Sequence, residues 1–485
     1  MVLSYPRLQN PTWFQASKKG SIKTLNHKIL TMKIINNAIC LTLSMMLLVG
    51  CDQFLDVKPD KAMVVPRSLE DLEGLLDDDV LRNMNTGPGI PILSSDDLYT
   101  TDQGFISFSN LERNVYTWQE DVFAGEPIIS EWAVPYRQVL NANLVLDIIE
   151  GIEPKNVQEQ IKKNTIKGRA LFYRAFAFHQ LMEAFTTPLT GSNPSSLGII
   201  LRKSANINIR YQRATLPETY ETIIADLEEA AMLLPDLPDF KSRPSKAAAH
   251  ALLSRVLLIG GEYQKSLDHA DRALVVFPHL LDYNKVNRNP AFPFSGFLDE
   301  VIFQSMVTGY GFLYSNEVFV SQDLLDSYQE NDLRRTLFFT NGDTMANFRG
   351  NYTGQVFLFT GIASDELRFN KIECLARLNR ESEAADMLNG FLESRFVSGT
   401  FDPIDFTASG DVLETVLMER RKSLLFRDIR WMDLRRLNSD PVYATELSRK
   451  VNGDSFVLPP GSQKYTFPIP DDEVSLNNVI QNPRE

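Results

Sequence analysis

The chemistry most plainly written in this chain is that of a cysteine. Leu48-Val49-Gly50-Cys51 closes an apolar run, residues 38–49, that follows Met32-Lys33. A run of about a dozen apolar residues behind a basic start has the length of a signal peptide's apolar core, and it is too short to span a membrane. Its Leu-Val-Gly-Cys ending has the form of a bacterial lipobox, in which the thiol is acylated and the cysteine becomes the first residue of the exported chain. Cys51 is therefore the lipidation candidate. Residues 51–60 read as a lipidated tether with a Pro stop at Pro59, and the residues beyond the tether are expected to form an exported domain. Each acyl methylene buried in the bilayer contributes ~0.8 kcal/mol, and stable anchoring needs more than one chain. Residues 1–50 form the signal region. Translation is expected to begin at Met32, the alternative being a long basic leader. With Cys40 removed and Cys51 acylated, Cys374 is the remaining thiol, which leaves no intramolecular disulfide.

Other groupings carry less chemistry. Asp96, Asp97 and Asp102 lack the spacing of a calcium loop and are expected in a solvated loop, as is the run Asp77-Asp78-Asp79. Residues 419–436 alternate Arg and Lys with Asp and bulky apolar side chains. A structural ion-pair network that pins the last helix is expected there, with Arg430 and Asp433 as a local pair. The five histidines are scattered, no Cys/His cluster has zinc spacing, and no nucleophile elbow, His-Glu-x-x-His or P-loop is present. No metal or cofactor is expected. The whole chain carries a net charge of −13, and residues 1–50 hold six bases and no acid, so the exported part is more acidic still. That disfavours nucleic acid as a partner.

The elements that would position any site are helical. Apolar spacing predicts helices over residues 68–76, 130–149 and 157–185, the last apolar nearly all round and so packed on several sides. Ser68 with Asp71 fits a capping box, and Pro217 a helix start. Pro244-Ser245 opens a hairpin of two helices that turns at Gly260-Gly261 and ends by Pro278, about the tetratricopeptide length. The pattern recurs over 365–395, and 157–234 makes a third hairpin with a long insertion at 187–214. Residues 83–110 read as loop, 116–118 as strand or loop, 279–364 as an irregular aromatic-rich elaboration with short strands at 301–304 and 355–359, and 412–437 as one last helix. The fold class is mainly α, with little β. It is a tetratricopeptide-like helical-hairpin superhelix, expected to be right-handed, with a loop-rich elaboration, and residues 61–485 form a single domain.

In order and spacing these features resemble one family. The lipobox cysteine comes first, then Trp132…Tyr136…Asn141-Ala142-Asn143, Arg169-Ala170…Arg174-Ala175 and the helical hairpins. Glu419-Arg420-Arg421-Lys422, Arg430-Trp431-Met432-Asp433-Leu434-Arg435-Arg436, and Phe467-Pro468-Ile469-Pro470…Glu473…Asn477…Gln481-Asn482-Pro483 complete the set. Together they are similar to the SusD/RagB family. Ser423-Leu424 and Arg427-Asp428 stand where the family often has Glu-Leu and Glu-Gly. The resemblance implies a non-catalytic lipoprotein of the Bacteroidetes outer membrane, facing outward. It would cap a SusC-like TonB-dependent transporter and pass it a glycan or peptide, most readily an oligosaccharide.

Glycan capture calls for aromatic faces beside polar groups in a concave surface. Two aromatic groups qualify: Tyr99 and Phe105, with Phe108, and the group Tyr310, Phe312 and Tyr314, with Phe292 and Phe294. Gly311 suggests a turn that exposes a ring. Trp132, Tyr173 and Trp431 lie on helical stripes and are expected in the core. Two other functions compete. A periplasm-facing tetratricopeptide adaptor would bind protein, and an exported glycosidase would need two carboxylates at a set separation.

Overall fold

The computed structural model describes residues 66–485 except 79–83, 192, 308, 341–343 and 407–410. The signal region, Met32, the tether, Cys51 and Asp79 lie outside the described residues.

The longer helices are labelled α1 (Leu69–Asp77), α2 (Ser130–Ile149), α3 (Val157–Phe185), α4 (Leu216–Leu233), α5 (Lys246–Ile259), α6 (Tyr263–Val276), α7 (Ser364–Arg377), α8 (Glu381–Glu393), α9 (Val412–Ser423) and α10 (Arg430–Leu437). From α2 to α8 each packs on the next, with α1 against α2 and α3 and α9 against α7. Short polar side chains set the starts. Ser68 and Asp71 make the reciprocal capping box, Thr215 and Glu218 make another beside Pro217, and Ser245 accepts from the Ala248 amide. Such caps satisfy backbone donors that a first turn leaves open. The α5–α6 turn places Gly261 at φ +75°, where a side chain would be strained. Nearly every residue of α3 from Ala170 to Phe185 is buried, as its all-round apolar pattern requires. Phe303 closes over this helix, its ring 4.9 Å from Phe172 and 5.5 Å from Phe176.

Strands are short. β1 (Leu98–Thr100) pairs antiparallel with β3 (Val318–Val320), β2 (Val301–Phe303) with β4 (Ile362–Ala363), and β5 (Leu447–Val451) with β6 (Asp454–Leu458). Gly361 lies so close to β2 that a Cβ would collide with the Phe303 carbonyl oxygen.

Several expectations need correcting. Residues 83–110 are not all loop: they hold Ile90–Ser94, β1 and Asp102–Ser107, and Tyr116 ends the helix Asn110–Tyr116. Residues 355–359 form no strand, and Phe359 makes only an isolated bridge to Met306. The last helix is two, α9 and α10, because Phe426 and Asp428 take φ of 57° and 62°, which breaks the helix. Arg430 does not pair with Asp433; it reaches Asp96 at 2.7 Å. Asp96 and Asp97 are thus not solvated: Arg421 bonds Asp97 at 2.8 Å and Asp96 at 3.1 Å. Burial opposes the Asp96 charge, but Arg430 and Arg421 outweigh it and its pKa falls; for Asp97 burial wins and its pKa rises. Asp77 is held by Arg169 and Arg243.

The remaining motif residues tie distant segments together. Asn482 Nδ2 donates to the carbonyls of Phe185 and Phe467, both at 2.8 Å, and the Phe467 amide donates to Ala184 O at 2.9 Å. The chain's end is thereby laced to the end of α3. Trp132 packs edge-on to Phe185 at 5.0 Å, and Arg174 of α3 bonds both oxygens of Asp226 on α4 at 2.7 Å. The charged stretch is a buried network, as its alternation suggested. Arg436 grips Glu373 at 2.5 and 2.7 Å and Asp433 at 2.8 Å, while Arg420 holds Asp433 at 2.8 Å.

Candidate functional site

The elaboration between α6 and α7 folds over β1 and β3 and encloses an aromatic cavity of about 280 Å³. Its wall is built from three stretches. One holds Ala291 and Phe292, one runs from Phe312 to Val318, and one returns through Thr340, Asn347, Phe348, Arg349, Asn351, Val356 and Leu358. Leu98 and Phe426 close it from β1 and from the break between α9 and α10.

Local chemistry fixes each stretch. Gly311 opens the 3-10 turn Gly311–Tyr314 and lies against the Glu112 carboxylate, which accepts from the Phe312 amide at 2.9 Å. The turn buries Phe312 and leaves Tyr314 51% exposed at the rim, its ring edge-on to Phe357 at 6.1 Å. Asn347 spans two stretches: its side-chain amide donates to the carbonyls of Asn316 at 3.1 Å and Val318 at 2.8 Å. Arg349 ties the third stretch to the first through the carbonyls of Arg288 at 3.0 Å and Pro290 at 3.2 Å, and reaches Thr336 at 2.7 Å. Phe348 packs edge-on to Phe426 at 4.9 Å. Apolar rings thus face a cavity edged by three asparagines, a threonine, a serine and one arginine. Such a surface can stack flat apolar faces and bond neutral hydroxyls.

Of the aromatic candidates, the structure brings Phe312, Tyr314 and Phe292 together here. Tyr310 is set apart, its hydroxyl bonded to Glu131 between two other hollows. Burial, with the Glu131 carboxylate second, raises the Tyr310 pKa well above its usual value. Tyr99 lies across β1 from Leu98 and lines a different cavity with Asp96, Arg421 and Arg449; successive strand residues face opposite ways. Phe105 packs on Tyr116 at 5.9 Å and Phe108 at 6.4 Å, and Phe294 is buried against Tyr352. Phe348, Phe426, Asn316, Asn347, Arg349 and Asn351 were not singled out from the sequence. The acid-free, Asn-rich character of 344–358 was the available signal. Trp132, Tyr173 and Trp431 are core residues.

Residues 53–258 match a family model for SusD-like proteins, described as starch-binding and associating with the outer membrane. A SusD-like protein P2 of Formosa agariphila is 25% identical over 404 residues, covering 67% of this chain and 74% of that protein. A SusD superfamily structure from Bacteroides thetaiotaomicron superposes with a TM-score of 0.71 at 22% identity, over 86% of this chain and 100% of that one. The chain is similar to SusD-like proteins. The surface glycan-binding protein A of Bacteroides fluxus shares this SusD-like fold, with a TM-score of 0.65 at 19% identity, over 86% of this chain and 100% of that chain. Among the described residues, no helix is long and apolar enough to cross a membrane.

Proposed function

We propose that this chain captures an oligosaccharide in the aromatic cavity between α6 and α7, without turning it over, and delivers it to a TonB-dependent transporter in the outer membrane. The observation that carries this reading is the cavity itself. Phe292, Phe312, Tyr314, Phe348 and Phe426 offer apolar faces, and Asn316, Asn347, Asn351 and Thr340 offer amide and hydroxyl groups beside them. Sugar rings present the matching surfaces, C–H faces and ringed hydroxyls. At about 280 Å³ the cavity lies just below the usual range of roughly 300–1,000 Å³ for small-molecule sites, so it grips a short stretch of a chain rather than enclosing it. The family's description as starch-binding and outer-membrane-associated supports the same reading. Lipidation at Cys51 would hold the protein beside its transporter, facing outward.

A binding screen of the exported chain carrying Cys51→Ala against oligosaccharides and peptides, with product analysis of every binder, tests this reading. Binding of an oligosaccharide left intact supports it. Release of cleaved product, or binding of peptides alone, refutes it.

A further inference from the structure

The charge around the cavity is inverted relative to the rest of the molecule. The chain holds 62 acids against 49 bases. Yet among the described residues that line the cavity there is no carboxylate, and Arg349 is the one charged side chain. Parts of two of the stretches that supply the wall share this bias. Residues 283–298 contain Lys285 and Arg288 and no acid, and residues 344–364 contain Arg349 and no acid. Glu317, beside the wall, is turned to Thr101, whose hydroxyl donates to it at 2.5 Å.

Among the described residues Arg349 has no carboxylate partner. Its two terminal nitrogens donate to three backbone carbonyls, of Arg288, Pro290 and Thr336, and its Nε is buried with no acceptor. Arg334, Arg395, Arg427 and Arg436 each bond a buried carboxylate; Arg349, like Arg449 and Arg484, is held by carbonyls instead, and of these three it is the one at the aromatic cavity. Carbonyl dipoles hold the Arg349 guanidinium in place but leave its unit charge uncancelled. A guanidinium stays protonated in proteins; with three of its five N–H groups on carbonyls and Nε buried, Arg349 meets an anion through its charge and its remaining Nη1 N–H.

We infer that the cavity selects an acidic glycan, a uronate or sulfated sugar, and that Arg349 is the residue that reads the anionic group. This rests on the glycan reading above and narrows it to a substrate class. Asn316, Asn347 and Asn351 would then read hydroxyls around the anion, and the rings would take the C–H faces. The overall negative charge sharpens the selection: away from the cavity the surface repels the same polyanion, so binding concentrates where the acids are missing.

The test is isothermal titration of the exported chain carrying Cys51→Ala with matched pairs. Galacturonan tetrasaccharide is compared with its fully methyl-esterified form, and sulfated with desulfated chondroitin tetrasaccharide, beside a panel of neutral oligosaccharides. The inference expects at least one acidic member to bind tenfold or more tighter than its neutral partner, with the gap closing as NaCl is raised. Arg349→Lys should keep part of the preference and Arg349→Met should abolish it. Because Arg349 also ties loops together, circular dichroism checks each variant; if the Met variant is unfolded, the wild-type salt titration and the Lys variant decide. Equal binding of acidic and neutral partners, or an acid preference that survives in folded Arg349→Met, overturns the inference and leaves the glycan reading standing. Binding of peptides with no oligosaccharide bound overturns both.

Discussion

Glu373 offers a sharp test of how this fold is held together. It is fully buried on α7 and accepts from Arg436 Nη1 and Nη2 at 2.5 and 2.7 Å and from Arg377 Nε at 2.8 Å. Glu373→Gln keeps the shape but sets an amide NH2 against a guanidinium that needs an acceptor. Removing one partner of a buried pair costs about 3–5 kcal/mol, because the other charge is left uncompensated. The titration gives a second route to the number. Burial opposes the Glu373 charge, but Arg436 and then Arg377 outweigh it and pull the pKa from 4.5 to about 2. That difference corresponds to about 3 kcal/mol. A depressed carboxylate pKa stabilises the fold above the unfolded value, and that stability is lost as the pH falls from about 4.5 toward 2. Urea unfolding followed by circular dichroism, from pH 7 down to pH 3, reads both effects. The variant should lose about 3 kcal/mol at pH 7, and its deficit should shrink steadily below pH 4.5. Glu373→Leu with Arg436→Met should cost less than the sum of the single changes, since no lone charge remains. A loss under about 1 kcal/mol at pH 7, or a deficit independent of pH, would show that the network does not join α7 to α10 as described.

Three further outcomes follow from the same structure. Asp428 is buried at φ +62° with one carboxylate oxygen unpaired, and burial followed by the nearby acids Glu183 and Glu131, against Arg255, holds its pKa well above the usual carboxylate value. A raised pKa means that stability falls as pH rises past the unfolded value. Asp428→Asn should therefore be more stable than the parent at pH 8, with the gain fading near pH 4 in urea titrations. Gly361→Ala should destabilise the β2–β4 pair by about 1–3 kcal/mol, measured by thermal unfolding, since its Cβ would meet the Phe303 carbonyl. Cys51→Ala should move the protein from the membrane fraction to the soluble fraction and abolish incorporation of labelled palmitate.

The scaffold was legible in the sequence because local signals and packing agree there. The starts of α2 through α6 follow from caps, prolines and apolar spacing, and the buried run of α3 from its lack of a polar face. The break between α9 and α10 was not legible. Arg420 to Arg436 reads as continuous helix, and only tertiary contacts, among them Phe426 on Phe348, hold two non-glycine residues at positive φ. The β5–β6 hairpin carried a recognisable signal in Asn452-Gly453, both at positive φ, flanked by alternating burial. The candidate site was half legible. Gly311 marked the turn that exposes Tyr314, but the partners of that ring come from residues 292 to 426. Long-range assembly also explains Asp96 and Asp97, whose arginines lie more than 300 positions away in the chain.

The most direct test of the account is the affinity of Tyr314→Ala for whichever oligosaccharide the parent chain binds. Tyr314 is half exposed, with its ring against Phe357, so the fold should lose less than about 0.5 kcal/mol. The cavity should lose a stacking face, about 1–2 kcal/mol, or a roughly 5–30-fold weaker Kd by titration calorimetry. A Kd unchanged within twofold, with Tyr99→Ala the variant that loses binding, would place the ligand across β1 and contradict the assignment of this cavity.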